Sequence, residues 1–203
     1  MKDKPIIFSA PMIRALIAGR KTQTRRILKP QPGVDGKFLT LTDAQRALRI
    51  SVGDRLWVRE TWQYYDWTED GEPGIRYAAD NSTIFPPTPD DWGDRLTDIW
   101  AALSEHENYA IDNRARDRKW RPSIFMPRWA SRITLTVTDE RVQLLQGIDH
   151  ADAVAEGVGI YPHSMSAQKR YIQIWDRING HGAWDSNPWV AAYTFTVEQR
   201  ARF

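Results

Sequence analysis

At 203 residues, 41% hydrophobic and 27% charged, the chain is an ordinary globular sequence with room for one good core and little for a second full domain. The absence of cysteine excludes disulfides, a thiol nucleophile and a cysteine-based zinc site, and it suits a reducing cytoplasm. The net charge of +2 hides a strong asymmetry. Residues 1–34 carry eight Lys/Arg against Asp3, residues 66–112 carry twelve Asp/Glu against Arg76 and Arg95, and residues 114–132 carry seven basic side chains against Asp117.

Two basic blocks around an acidic segment predict a positive face for phosphates, with a merely patchy solvated surface as the plainer account. With ten tryptophans, some are expected to line a pocket. The start of the chain does not read as a signal peptide, because Pro5, Pro11 and Arg14 interrupt its apolar stretch. No later segment reaches membrane-spanning length. The expected organisation is a single domain over residues 1–203, cytoplasmic, with an acidic insert at about 64–113.

In chain order, residues 5–8 predict a short strand. Ser9 can cap a helix whose stripe is Met12, Ile13, Leu16 and Ile17, and Gly19 suits its left-handed exit. Six polar or charged side chains, residues 21–26, follow that exit directly. Residues 30–50 read as a loop and a modest helix capped by Thr42. Residues 52–58 predict a turn and a strand with Leu56 and Val58 on one face and Trp57 on the other, and Glu60 lies just past its end. Residues 65–89 show little periodicity. Trp92, Leu96, Ile99, Trp100 and Leu103 then fit an amphipathic helix.

Residues 120–132 are irregular, aromatic and basic, a mixture in which arginine planes and indole rings can stack on bases or pair with phosphates. Residues 133–138 alternate as a strand with Ile133, Leu135 and Val137 inward. Helices are predicted over residues 149–156, closed by Gly157, and over about 166–178, with Tyr171, Ile174, Trp175 and Ile178 on one face. The last strand, residues 189–197, places Trp189, Ala191, Tyr193, Phe195 and Val197 on one side. Strands interleaved with short helices, with no recurring strand–helix unit, predict an α+β fold built on a small β-barrel.

Five stretches in this order, residues 18–24, 52–58, 133–138, 152–157 and the last strand, resemble the ASCH family of the PUA-like superfamily. The phrases at 56–62 and 120–131 are similar to its larger phage and prophage members. The resemblance implies a PUA-like barrel with flanking helices and a cleft for RNA, nucleotides or modified bases. It also implies kinship with small bacterial amidohydrolases that deacetylate N(4)-acetylcytidine through a lysine, a threonine and a glutamate. Those three fall here on Lys21, Thr24 and Glu156. The acidic insert and the greater length depart from those small enzymes.

The residues themselves allow this chemistry. A threonine hydroxyl attacks only if a base takes its proton, and a lysine can be that base when burial or neighbouring cations lower its pKa. Arg20, Arg25 and Arg26 are the candidate neighbours, and a glutamate can return the proton to a leaving amine. Residues three apart on a strand face opposite ways, so Lys21 and Thr24 converge only if the chain bends after Gly19.

Each residue has an ordinary alternative: Lys21 a solvated cation at a helix end, Thr24 a strand residue, Glu156 a surface helix position. Arg20, Arg25, Arg26, Trp57, Glu60, Arg128, Trp129 and Arg132 are expected to bind the substrate or a nucleic acid, with simple packing as the competing account for the last three. A non-catalytic RNA- or DNA-binding module is therefore the alternative function. A ribonuclease is less well served, since His106, His150, His163 and His181 offer neither an acid–base pair nor metal-ligand spacing. No metal, cofactor or membrane partner is expected, and the sequence leaves the oligomeric state open.

Overall fold

The computed structural model describes residues 2–32, 40–46, 48–67, 73–85, 119–159 and 165–200. The fold is mixed α+β. Its strands are β1 (Asp3–Ile7), β2 (Gln23–Ile27), β3 (Arg55–Arg59), β4 (Trp62–Trp67), β5 (Pro73–Tyr77), β6 (Thr83–Ile84), β7 (Ile133–Leu144) and β8 (Trp189–Gln199). The helices are α1 (Ala10–Ile17), α2 (Leu41–Arg46), α3 (His150–Ala155) and α4 (Ala167–Asn179). One sheet has the order β1-β3-β7-β8-β2 and the other the order β4-β5-β6. Among the described residues the larger sheet is open, with β1 and β2 at its two edges.

The chain forms two compact units. One is drawn from Met1–Lys4, Met12–Leu56 and Ile133–Gln199, and the other from Pro5–Pro11, Trp57–Arg132 and Arg200–Phe203. In the first unit β7 and β8 pair antiparallel from Ile133↔Gln199 to Leu144↔Trp189, with a register shift between Val137 and Asp139. β2 adds antiparallel to the other side of β8. Val190, Ala191, Ala192 and Tyr193 are all buried, so this stretch of β8 is covered on both faces, where alternation alone predicts one buried face.

Val190 packs in a cluster with Leu145, Ile148, Ala153, Val158, Ala167, Tyr171 and Trp175. Helix α4 enters through Ser166, whose hydroxyl accepts from the Lys169 amide, and buries Ala167, Tyr171 and Trp175 at four-residue spacing. Its last turn runs past the cluster, so Ile178 is exposed, contrary to the stripe expected from the sequence. The cap of α2 also differs from expectation. Thr40, two residues earlier than Thr42, accepts from the Asp43 amide at 3.2 Å.

In the second unit the expected featureless start of the insert is a sheet. β4 and β5 pair antiparallel with a shift between Tyr64 and Asp66, and β6 adds to β5 through Ile75↔Ile84 and Arg76↔Thr83. One face carries Trp62, Ile75, Tyr77 and Ile84 onto Met126 and Ala130. The strands are short, and Pro73 and Gly74 open β5, so little alternation was there to be read. The amphipathic helix expected over residues 92–103 lies outside the described residues.

The first unit also ties its sheet to a turn by charge. The Asp54 carboxylate accepts from the Lys2 and Ser51 amides and pairs with the Lys4 ammonium. The hydrogen bond from Lys4 chiefly holds Asp54 down at about 2, against the effect of desolvation. A folded pKa below the unfolded value gives stability that is complete above about pH 4 and lost as pH falls through about 2. Asp54→Asn is expected to remove this dependence. Urea midpoints of wild type and variant should converge between pH 4 and pH 2, and parallel midpoints over that range would refute the assignment.

Candidate functional site

The stretch after α1 is shaped by one carbonyl and one glycine. Gly19 takes φ +67°. The amides of Arg20 and Lys21 both donate to the Ala15 carbonyl, at 2.9 and 3.1 Å, which turns the chain off the helix axis. The Thr22 amide then donates to Ala155 at the end of α3, and the Thr22 carbonyl accepts from Phe195 in β8. Lys21 forms an isolated antiparallel bridge with Glu156. Three elements of the first unit, the exits of α1 and α3 and the start of β2, are thereby locked side by side.

The Lys21 side chain is 0% exposed. Its ammonium donates to the Gln23 carbonyl at 2.8 Å, the Glu156 carbonyl at 2.9 Å and Glu156 Oε2 at 2.8 Å, three acceptors for three N–H groups. Burial pushes the Lys21 pKa down and Glu156 opposes it, while Arg26 and Arg25 add to the lowering. Glu156 Oε1 accepts from Arg25 at 3.0 Å. Arg25 also donates to Gln23 Oε1 and to Asp152 Oδ2, and Asp152 Oδ1 accepts from Arg141 at 3.0 Å. Burial would raise Asp152, but Arg141 and Arg25 outweigh it and hold its carboxyl below the usual range.

Lys21 and Glu156 are therefore brought together, and neither is the solvated surface group that the ordinary account of each required. Arg25 joins them. Thr24 is buried in β2 opposite Tyr193, yet among the described residues no side-chain hydrogen bond connects its hydroxyl to Lys21 or Glu156. Arg20 is exposed and reaches the Gly157 carbonyl at 3.4 Å, and Arg26 has an exposed side chain on β2. Asp152, Arg141 and Gln23 complete the network and are new. Asp152 could have been found, because it lies four residues before Glu156 on one helix face. Arg141 could not, since only the β7 register brings it there.

The second unit holds a separate cluster. Arg132 makes a bidentate pair with Glu60, Nε to Oε1 and Nη2 to Oε2 both at 2.8 Å. Its Nη1 donates to Asp80 Oδ2 at 3.0 Å and to Ser82 Oγ. Its plane lies 4.0 Å from the Tyr77 ring centroid, and the Tyr77 hydroxyl donates to the Ala130 carbonyl. Burial raises the Glu60 pKa against the opposing pull of Arg132. Trp57 lies under Arg59 at 4.5 Å and Arg128 at 6.0 Å, and Trp129 packs against the apolar cluster of this unit. Glu60 and Arg132 thus engage each other inside the protein. Asp80 and Ser82 were hidden from sequence reading by the irregular composition around them.

Among the described residues no group of three or more His, Asp or Glu side chains could hold a metal ion, and no helix is long and apolar enough to cross a membrane. No protein-family model, curated protein or solved structure matches the chain.

Two outcomes follow from this geometry. A Cβ on Gly157, which sits at φ +86°, would lie 2.9 Å from the Cβ atoms of both Ala15 and Lys21. Gly157→Ala should therefore cost on the order of 2–4 kcal/mol in urea unfolding, from strain and overpacking together. An unchanged midpoint would contradict this packing. Glu60→Ala should cost roughly 3–5 kcal/mol by leaving Arg132 buried without its main partner. The double replacement Glu60→Met with Arg132→Met should cost clearly less, and equal losses would show that the pair is not coupled.

Proposed function

We propose that the chain is an ASCH-type, PUA-like protein acting as a metal-independent amidohydrolase. Its substrate class is a cytosine nucleoside or related modified base acylated on the exocyclic amine. The observation that carries the reading is the fully buried Lys21 ammonium held against the Glu156 carboxylate in the turn that leads to Thr24. Taking a lysine out of water favours its neutral form, and a carboxylate 2.8 Å away is positioned to exchange a proton with it.

In this mechanism Lys21 takes the Thr24 proton as the hydroxyl oxygen bonds to the acyl carbon. The C–N bond to the exocyclic amine breaks, and the proton that Lys21 took passes through Glu156 to the leaving amine, which leaves Lys21 neutral again. Water then attacks the acyl-threonine ester and gives its proton to the neutral Lys21, which returns it to the Thr24 oxygen as that C–O bond breaks and the carboxylic acid leaves. Arg25 keeps Glu156 oriented throughout. The mechanism demands that Lys21 exchange one of its three present acceptors for the Thr24 hydroxyl when substrate is bound.

Purified protein with N(4)-acetylcytidine, followed by chromatography, is expected to release cytidine. Lys21→Ala, Thr24→Ala and Glu156→Ala should each abolish release while unfolding cooperatively. Because the neutral lysine is the active form and its pKa is lowered, kcat/KM should rise with pH through a midpoint below that of a free lysine. Retained turnover in any two of the three variants would remove the mechanism. Loss in Lys21→Ala and Glu156→Ala alone would make water the nucleophile.

A further inference from the structure

In the second unit, three large apolar side chains stand in water within six residues. Trp120 is 44% exposed, Ile124 54% and Phe125 66%. Slack chain is not the cause, because the segment is pinned on both sides. The Arg121 amide donates to the Trp62 carbonyl at 2.7 Å, and the Arg121 carbonyl accepts from the Trp62 amide at 3.2 Å. The Arg121 guanidinium lies 5.5 Å from the Trp62 ring centroid and 5.0 Å from that of Tyr64. A single 3₁₀ turn, Ser123–Phe125, then closes through Phe125 to Pro122 and Met126 to Ser123. The very next residue, Met126, is buried in the apolar cluster of this unit. Ile124 and Phe125 are thus held outward between two fixed points.

The charge within this segment is of one sign. Residues 119–132 contain Lys119, Arg121, Arg128 and Arg132 and no acidic residue. Arg132 is engaged internally by Glu60 and Asp80, so Lys119 and Arg121, the two residues that flank Trp120 in the chain, are the exposed cations of the segment. The occupant that matches exposed rings beside cations is a polyanion with accessible π-faces. A duplex covers its base faces by stacking, whereas a single strand offers them.

We propose that Trp120 and Phe125, flanked by Lys119 and Arg121, form a stacking platform for single-stranded nucleic acid. Bases lie on the two rings and the phosphates between them face the cations. The fixed backbone means that little order has to be gained on binding. This surface uses side chains of the second unit alone, and it does not depend on the hydrolase reading.

The test is fluorescence anisotropy of the full chain with labelled oligothymidylate, oligouridylate and the thymidylate annealed to oligoadenylate, over a range of salt. The single strands are expected to bind better than the duplex, with affinity falling as salt rises. Trp120→Ala and Phe125→Ala should each weaken single-strand binding about ten-fold, and Lys119→Ala should lower the salt slope by about one. Urea midpoints check that the variants are folded. Equal binding by wild type and the Trp120→Ala, Phe125→Ala double variant would overturn the proposal, as would duplex preference or no single-strand binding at low salt. A wild-type dimer that Phe125→Ala dissociates, with no oligonucleotide binding, would assign the patch to a second copy of the chain and also overturn it. These homopolymers carry no acyl group, so this binding and the turnover above can fail separately.

Discussion

The larger unit is organised by one desolvated ion pair. Taking the Lys21 ammonium and the Glu156 carboxylate out of water costs several kcal/mol for each ion unless their hydrogen bonds are nearly all replaced. Three acceptors meet the ammonium, and two of them belong to Glu156 itself. That requirement fixes the end of α3 beside the start of β2. It also explains Gly157, since the backbone there passes too close to Ala15 and Lys21 for any Cβ. Arg25 and Asp152 extend the pair into a chain of alternating charge that ends at Arg141, whose side chain is partly in solvent.

The two units solve the same problem with different cations, and the difference bears on what each can do. Arg132 is a planar donor that keeps its proton at any ordinary pH, and its partners Glu60, Asp80 and Ser82 occupy the fork as a scaffold would. Lys21 is a point charge whose pKa is lowered by burial, while its acceptors on Glu156 favour the charged form. Of the two buried clusters, the lysine cluster is the one whose cation has a lowered pKa. The arginine cluster is suited to holding β4 to β6 against the segment that carries Ala130 and Arg132.

Periodicity and end signals made much of the secondary structure legible. Ser166 and Gly180 bound α4, Asp149 and Gly157 bound α3, and Ile133, Leu135 and Val137 mark the buried face of β7. Local signals failed where tertiary contact sets the answer. Val190 and Ala192 are buried on the face opposite the expected one, Val190 against the cluster that includes Tyr171 and Trp175. Thr40 caps α2 because its hydroxyl reaches the Asp43 amide, which the neighbouring Thr42 is too late in the chain to do. The β4–β5–β6 sheet was unreadable because two-residue and proline-opened strands carry too few alternations to stand out from a loop.

For the candidate site, the sequence by itself determined that a lysine and an arginine leave a helix end together and that a glutamate closes a later helix before a glycine. It also placed exposed-type cations among aromatic rings at 119–132. Only the tertiary structure decided that Lys21 is dry, that Glu156 rather than Thr24 is its partner, and that Arg132 turns inward while Trp120 and Phe125 turn out. Burial and pairing depend on which distant segments are packed together, and neither residue type nor spacing along one strand carries that information.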